Sequence, residues 1–206
     1  MESPVKKMKS KKFKLTYDWP IEQGRYLVSN PLSPVGVVAI LASAYNKIPK
    51  NTEDLVRAGV EKGAGISGTL QTANIGIEKI VVNLISNPNI RYLILAGKES
   101  GHFPADAVKA LFKNGADEKG YILDTKAPTA ILKNIPKEAI ERLRQQVQLI
   151  DLSATTDIAI LEKAVWSCYQ ENETPFEIEG RKYLLYDNGA FPGEPVIYRL
   201  TDKLKS

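Results

Sequence analysis

Two uninterrupted apolar runs constrain this chain more than any other feature. Val35–Ile40 reads VGVVAI, and Arg91–Ala96 reads RYLILA. Neither alternates with polar residues, so neither suits a strand with one wet face. Each reads as a strand covered on both sides, as in parallel sheets shielded by their crossover helices.

The intervening segments supply those helices. Asn74–Ile85 sets Ile77, Ile80, Val81 and Leu84 at helical spacing, and Pro88 prevents continuation. Pro104 suits the first turn of a helix running to about Asn114, with Gly115 at its end. Pro136 opens another, reaching about Gln146, with Ile140 and Leu143 on one face. Tyr121–Asp124 and Val147–Leu152 read as a third and a fourth strand. Thr155 or Thr156 can cap a last helix reaching Tyr169. Asn46–Gly59 reads as polar and irregular. Strands alternating with helices imply an α/β fold: a Rossmann-like, doubly wound, mostly parallel sheet with right-handed crossovers. The end of the chain differs. FEIEGRKYLLYD reads as a hairpin around Glu179-Gly180, and EPVIYRL as a further strand. The organisation read here is a basic arm over 1–16, one domain over 17–172 and an antiparallel β appendage over 173–206.

Charge and composition exclude several functions. The net charge is +4, and the first fourteen residues alone carry six lysines against one glutamate. The body is therefore near neutral and has no basic stripe interleaved with aromatics, so no nucleic-acid partner is expected. The arm reads as a solvated terminus. Cys168 is the only cysteine, which rules out an internal disulfide and a Cys-x-x-Cys motif; it reads as a buried structural thiol. No apolar run is long enough for a membrane span, and no secretory signal follows the lysines. These readings together point to a cytoplasmic protein.

In open parallel sheets, ligands bind beyond the carboxyl ends of the strands. The loops concerned are Gly63–Thr72, Gly97–Phe103, Thr125–Ala130 and Ser153–Asp157. GAGISG, Gly63–Gly68, fits the dinucleotide pattern G-x-G-x-x-G letter for letter. Its context fits less well: LVRAGVEK before it is too polar for a buried strand, and no ribose-binding acid follows at the required distance. It reads as a loop for close ligand approach or as a plain turn. Thr69, Gln71, Thr72 and Asn74 are more polar residues than capping alone needs. Glu78, Glu99 and Asp106 lie near these loops without forming a recognisable acid–base pair. Glu78 with Lys79 reads as a solvated pair.

His102 is the only histidine. No G-x-S-x-G elbow accompanies it, and zinc or non-haem iron normally needs several His or Cys ligands. A metal inside a macrocycle needs only one axial nitrogen from the protein. His102 follows the second buried strand in GKESGHFP, where ligands bind. A functional histidine and an incidental surface or capping one both remain open on these grounds.

Gly68–His102 carries a resemblance. TANIGIEKIVVNLISNPNIRYLIL and the GKESGH after it resemble the A subunit of the tetrahydromethanopterin S-methyltransferase of methanogenic archaea. Weaker similarity runs from Val35 to about Gln146 and on through VQLIDL. The resemblance implies a corrinoid (cobalamin or a related cobamide), with His102 matching the family's proposed axial ligand to cobalt. It implies methyl carriage through Co(I) and methyl-Co(III) between methyl-tetrahydromethanopterin and coenzyme M. The implied partners are other methyltransferase subunits, without which the carrier is not expected to act, in a membrane complex coupled to sodium translocation. The D-x-H-x-x-G signature of other B12 modules is absent, since Ser100 stands two before His102. Two departures from the family are visible: EPVIYRLTDKLKS cannot span a membrane, and Ala73 stands where the family commonly has an acidic residue. The site expected from the resemblance comprises Gly68, Thr69, Leu70, Gln71 and Thr72 against the corrin, and Gly97 and Gly101 for close approach. Ala127, Pro128 and Thr129 would line the third loop, and His102 would face cobalt. No residue is assigned as catalytic. The alternatives are a corrinoid store or chaperone without turnover, and a nucleotide-binding oxidoreductase using GAGISG.

Overall fold

The computed structural model describes residues 12–42 and 48–177. In chain order the elements are β1 Tyr26–Val28, β2 Val35–Ile40, α1 Lys50–Glu61, β3 Ile66–Leu70, α2 Ile75–Ile85, β4 Tyr92–Gly97, α3 Pro104–Asn114, α4 Lys137–Gln146, β5 Gln148–Ser153 and α5 Ile158–Gln170. The sheet order is β1-β3-β2-β4-β5. β3, β2, β4 and β5 run parallel, and β1 lies antiparallel on the β3 edge.

The apolar runs owe their continuity to burial on both faces. From β2, Val35, Val37 and Ala39 join Ile94 of β4 against Leu55 and Val56 of α1 and Leu161 and Val165 of α5. Val38, Ile40, Leu93 and Leu95 point the other way, against Ile77 and Val81 of α2, Leu111 of α3 and Leu143 of α4. Successive side chains alternate between faces, so a strand buried on both must be apolar throughout.

Several expectations need correction. Asn46–Gly59 is not irregular over its described part: Lys50–Gly59 belongs to α1. The buried side of that helix uses Thr52, Ala58 and Gly59 beside Leu55 and Val56, and small residues masked its periodicity. They are small because α1 sits close to the sheet; a Cβ on Gly59 would lie 2.6 Å from the Ser67 Oγ. GAGISG is not one loop, because Ile66, Ser67 and Gly68 are already in β3. Tyr121–Asp124 forms no strand of the sheet. It makes only isolated bridges, Ala116 with Ile122 and Tyr121 with Ile131, as its segment turns back along α3. Asp157 caps α5, not Thr155 or Thr156: its carboxylate accepts from the Ala159 and Ile160 amides at 2.8 and 3.4 Å. Glu78 is 1% exposed, and its carboxylate accepts two bonds from Asn134, both at 2.9 Å. Lys79 turns away to the Gln23 carbonyl, at 3.0 Å. The short β1 strand lies hidden in a turn-rich stretch that gives no strand signal. The hairpin and strand expected near the C-terminus lie, apart from Phe176 and Glu177, outside the described residues.

A polar network closes the amino end of the sheet. The buried Gln146 Nε2 donates to the carbonyls of Leu84, Asn87 and Ile90 at 2.9–3.1 Å, and its Oε1 accepts from the Arg142 Nε at 2.8 Å. The Arg142 guanidinium stacks 4.0 Å from the Phe176 ring centroid. The Phe13 amide donates to the Asn89 Oδ1, and the Asn89 Nδ2 to the Phe13 carbonyl. Both outer segments of the described chain are thus tied to the Ser86–Arg91 turn. Replacing Gln146 by Ala leaves three carbonyls and a guanidinium short of a buried partner. The expected cost is about 2–4 kcal/mol in urea denaturation; a loss below about 1 kcal/mol contradicts this account.

Alkaline pH should loosen the same end. The Tyr92 hydroxyl donates to the Glu173 carboxylate at 3.0 Å. Burial first, then that bond and nearby negative charge, push the phenol up to about 12 from the ordinary 10.0. The folded phenol thus keeps its proton after the unfolded one has lost it. Its contribution is complete below about pH 10 and is lost as pH rises toward 12. Tyr92→Phe should flatten the alkaline limb of a stability–pH curve; an unchanged limb contradicts the assignment.

Candidate functional site

The parallel strands in the order β3-β2-β4-β5 place the change of winding direction between β2 and β4. In doubly wound sheets such a switch point opens a crevice at the carboxyl ends of the strands. Gly97 ends β4 there. Its φ of +96° favours glycine, and a Cβ would lie 2.9 Å from the Ile40 backbone nitrogen. Gly97 is therefore required by the pairing of the two central strands, whatever binds above them. Its amide donates to the Thr155 carbonyl, and its carbonyl accepts from the Ala154 amide, both at 2.8 Å. The β4 and β5 loops are joined through it.

The turn after Gly97 carries His102. The Phe103 amide donates to the Ser100 carbonyl at 3.0 Å, so residues 100–103 close on themselves. Phe103 takes the left-handed conformation, φ 52°, at the N-cap of α3 and supplies no side-chain cap. That conformation is strained for a bulky residue. Glu99 does the capping. Its carboxylate accepts from the amides of Ser100, Ala105 and Asp106 at 3.0, 3.2 and 2.8 Å. Gly101 and His102 are exposed at the tip. Among the described residues a Cβ on Gly101 would meet nothing within 4 Å, so their packing does not demand glycine there. The Ser100 Oγ is buried and has no hydrogen-bond partner among the described residues.

The loop after Thr125 approaches the same place. The Asp106 Oδ2 accepts from the Thr125 Oγ1 at 2.8 Å and the Lys126 amide at 2.7 Å, which ties this loop to the first turn of α3. Pro128 and Thr129 are exposed; Ala127 is 7% exposed and belongs to the core.

The β3 residues divide differently. Leu70 is 1% exposed, with its side chain in the core. Gly68 is covered by β1: a Cβ would lie 2.8 Å from the Arg25 carbonyl oxygen. The Thr72 Oγ1 accepts from the Gly76 amide at 3.3 Å, and the Asn74 Oδ1 from the Ile75 amide at 2.8 Å, so two of the four polar residues do cap α2. Gly68, Thr69, Gln71 and Thr72 line a largely apolar cavity of about 270 Å³ under α2, which neither His102 nor residues 127–129 line. The expected residues thus form two groups, one in this cavity and one around the His102 turn. The ends of β3 and β4 stand two strand spacings apart, about 10 Å. Gly63 and Gly65 join neither group: they precede β3 and lie at its amino end, where the Gly65 amide donates to the Val35 carbonyl at 2.8 Å. Ala73 is fully buried.

Sequence reasoning also missed a polar cluster at the end of β5. The Lys109 Nζ donates to the Ser153 Oγ at 3.1 Å and lies 3.6 Å from the Asp151 carboxylate. Burial would raise the Asp151 carboxyl, but bonds from Ser153 and the charge of Lys109 outweigh it and hold the group below its ordinary range. Strand residues that meet a lysine one helix away carry no local sequence signal.

Among the described residues, no group of three or more His, Cys, Asp or Glu could hold a metal ion. A single exposed imidazole on a protruding turn is a donor set suited to a metal whose remaining positions are filled by a macrocycle. Open space over Gly101 among the described residues fits such a group. No helix among the described residues is long and apolar enough to cross a membrane.

Comparison with known proteins adds the family. The family model for the A subunit of tetrahydromethanopterin S-methyltransferase matches residues 11–182. The chain is 41% identical over 195 residues to the A subunit of this enzyme from Methanocaldococcus jannaschii, covering 90% of this chain and 75% of that one. It is 38% identical to the second of the numbered A subunits of Methanothermobacter marburgensis, covering 91% and 88%. It is 38% identical to the A subunit of Methanococcus maripaludis strain C7, covering 78% of this chain and 64% of that one. An identity of this level over this much of both chains, on the fold described, places the chain in the family of tetrahydromethanopterin S-methyltransferase A subunits.

Proposed function

We propose that this protein is a corrinoid-binding methyl carrier, with His102 as the axial nitrogen ligand to cobalt. One observation carries the reading: the only imidazole of the chain stands exposed at the switch point of a parallel sheet, on a turn built to protrude. When bound, a cobamide supplies a nucleophilic metal in its reduced state and a methyl donor in its methylated one. The protein binds and orients. Gly101 would leave room for the macrocycle, Thr129 would offer a hydroxyl to its amide rim, and Pro128 would offer an apolar edge. Methyl-tetrahydromethanopterin as donor and coenzyme M as acceptor, each handled with partner subunits, follow from the family's name and the resemblance. A cytoplasmic location goes with this reading.

A nucleotide-binding oxidoreductase has little support, because Gly63 and Gly65 lie at the end of the sheet away from the switch point. A corrinoid store without turnover would use the same residues and differs only in partners. Incubation with cobalamin followed by desalting should leave corrin absorption with the protein at about one equivalent, the single-site expectation. NADH under the same treatment should not remain. Retained NADH without cobalamin overturns the proposal.

The two glycines give a sharper test. Gly101→Val should weaken cobalamin retention about tenfold or more while leaving apo-protein stability within about 0.5 kcal/mol. Gly97→Ala should cost about 1–3 kcal/mol even in the absence of ligand. If Gly101→Val binds as the parent does, the macrocycle does not lie over the turn.

A further inference from the structure

We infer that Glu99 is the positioning residue of the site: a single carboxylate clasps the base of the His102 turn and thereby fixes where the imidazole is presented. The inference rests on the corrinoid reading above. Its basis is the distribution of three bonds. The Ser100 amide, which enters the turn, and the Ala105 and Asp106 amides, which leave it, converge on the two oxygens of Glu99.

An ordinary cap would look different. Ser, Thr or Asp at the N-cap itself would satisfy the first amides of α3 from within the helix end. Here the N-cap is Phe103, which offers no polar atom and carries positive φ. The capping group instead comes from four residues earlier, across the mouth of the turn. The strained Phe103 conformation survives only where its surroundings over-determine it, and the charge-assisted bonds of Glu99 supply that determination. Closing the base leaves Ser100, Gly101 and His102 as a loop of fixed shape, open at its tip, since no described residue lies within 4 Å of a Cβ built on Gly101. Metal-bound histidines normally depend on groups that orient them; this one is oriented through its backbone.

Glu99→Ala and Glu99→Gln test the inference. Glu99→Gln keeps the side chain's length and one acceptor oxygen. In the apo protein, amide exchange at Ala105 and Asp106 should run about tenfold faster or more in Glu99→Ala, with global unfolding little changed. Glu99→Gln should restore part of that protection. With cobalamin bound and reduced to Co(II), the parent should show an axial-nitrogen splitting in electron paramagnetic resonance. Glu99→Ala should retain the corrinoid but lose or broaden the splitting, and Glu99→Gln should recover it in part. A merely structural cap would change exchange and leave the metal signal alone. Unchanged exchange, or an undiminished splitting in Glu99→Ala, overturns the inference while the corrinoid reading stands. A parent protein that retains no corrinoid overturns both.

Discussion

The parallel pairing of β2 with β4 is the contact on which the rest of this structure depends. Val35–Ala39 lies in register with Tyr92–Ala96, and each strand buries both faces. Among the described residues two helices cover one side and three the other, and neither group has a core without this pair. The pairing also creates the site. β2 is followed through α1 to β3 on one flank, and the chain then returns through α2 to β4 on the other. The reversal leaves a crevice above the junction, and Gly97, pressed against the Ile40 nitrogen, allows the strands to approach at its floor.

The two ends of the sheet have opposite characters. At the amino end, Gln146, Asn87, Asn89 and Arg142 bind buried backbone carbonyls, neighbouring side chains and the outer segments of the chain. At the carboxyl end, one turn holds a strained Phe103, an exposed histidine and a hydroxyl without a partner among the described residues. A strained residue beside an exposed histidine is an arrangement that functional sites held by a rigid remainder use. The same division separates two tasks: the sheet and its closed end hold the fold together, while the loops at the other end are exposed on a backbone that is already pinned.

What the sequence reveals follows the range of the interactions involved. β2, β4, α2, α3 and α4 were legible because local periodicity and local breakers encode them. α1 was not, because Thr52, Ala58 and Gly59 are buried for want of space and do not read as a hydrophobic stripe. β3 was not, because ISGTL is short and two of its polar or glycine positions exist to admit α1 and β1. His102 was legible as the single imidazole after a buried strand. Glu99 was visible as a carboxylate near that turn, but its bonds to Ala105 and Asp106 appear only when the turn closes. The cavity under α2 was half legible: its polar rim stood out as Thr69, Gln71 and Thr72, while its walls come from the β1 segment and from α2. The separation of these residues from His102 depends on strand order, which the sequence order conceals.

The proposed ligation of cobalt by His102 can be measured directly because the chain contains one histidine. Protein grown with ¹⁵N-labelled histidine carries that label at His102 alone. Loaded with cobalamin and reduced to Co(II), it should show axial-nitrogen splitting in electron paramagnetic resonance that changes from the triplet of ¹⁴N to the doublet of ¹⁵N. A triplet that survives labelling, or no axial-nitrogen splitting in a protein that holds its corrinoid, contradicts ligation by His102.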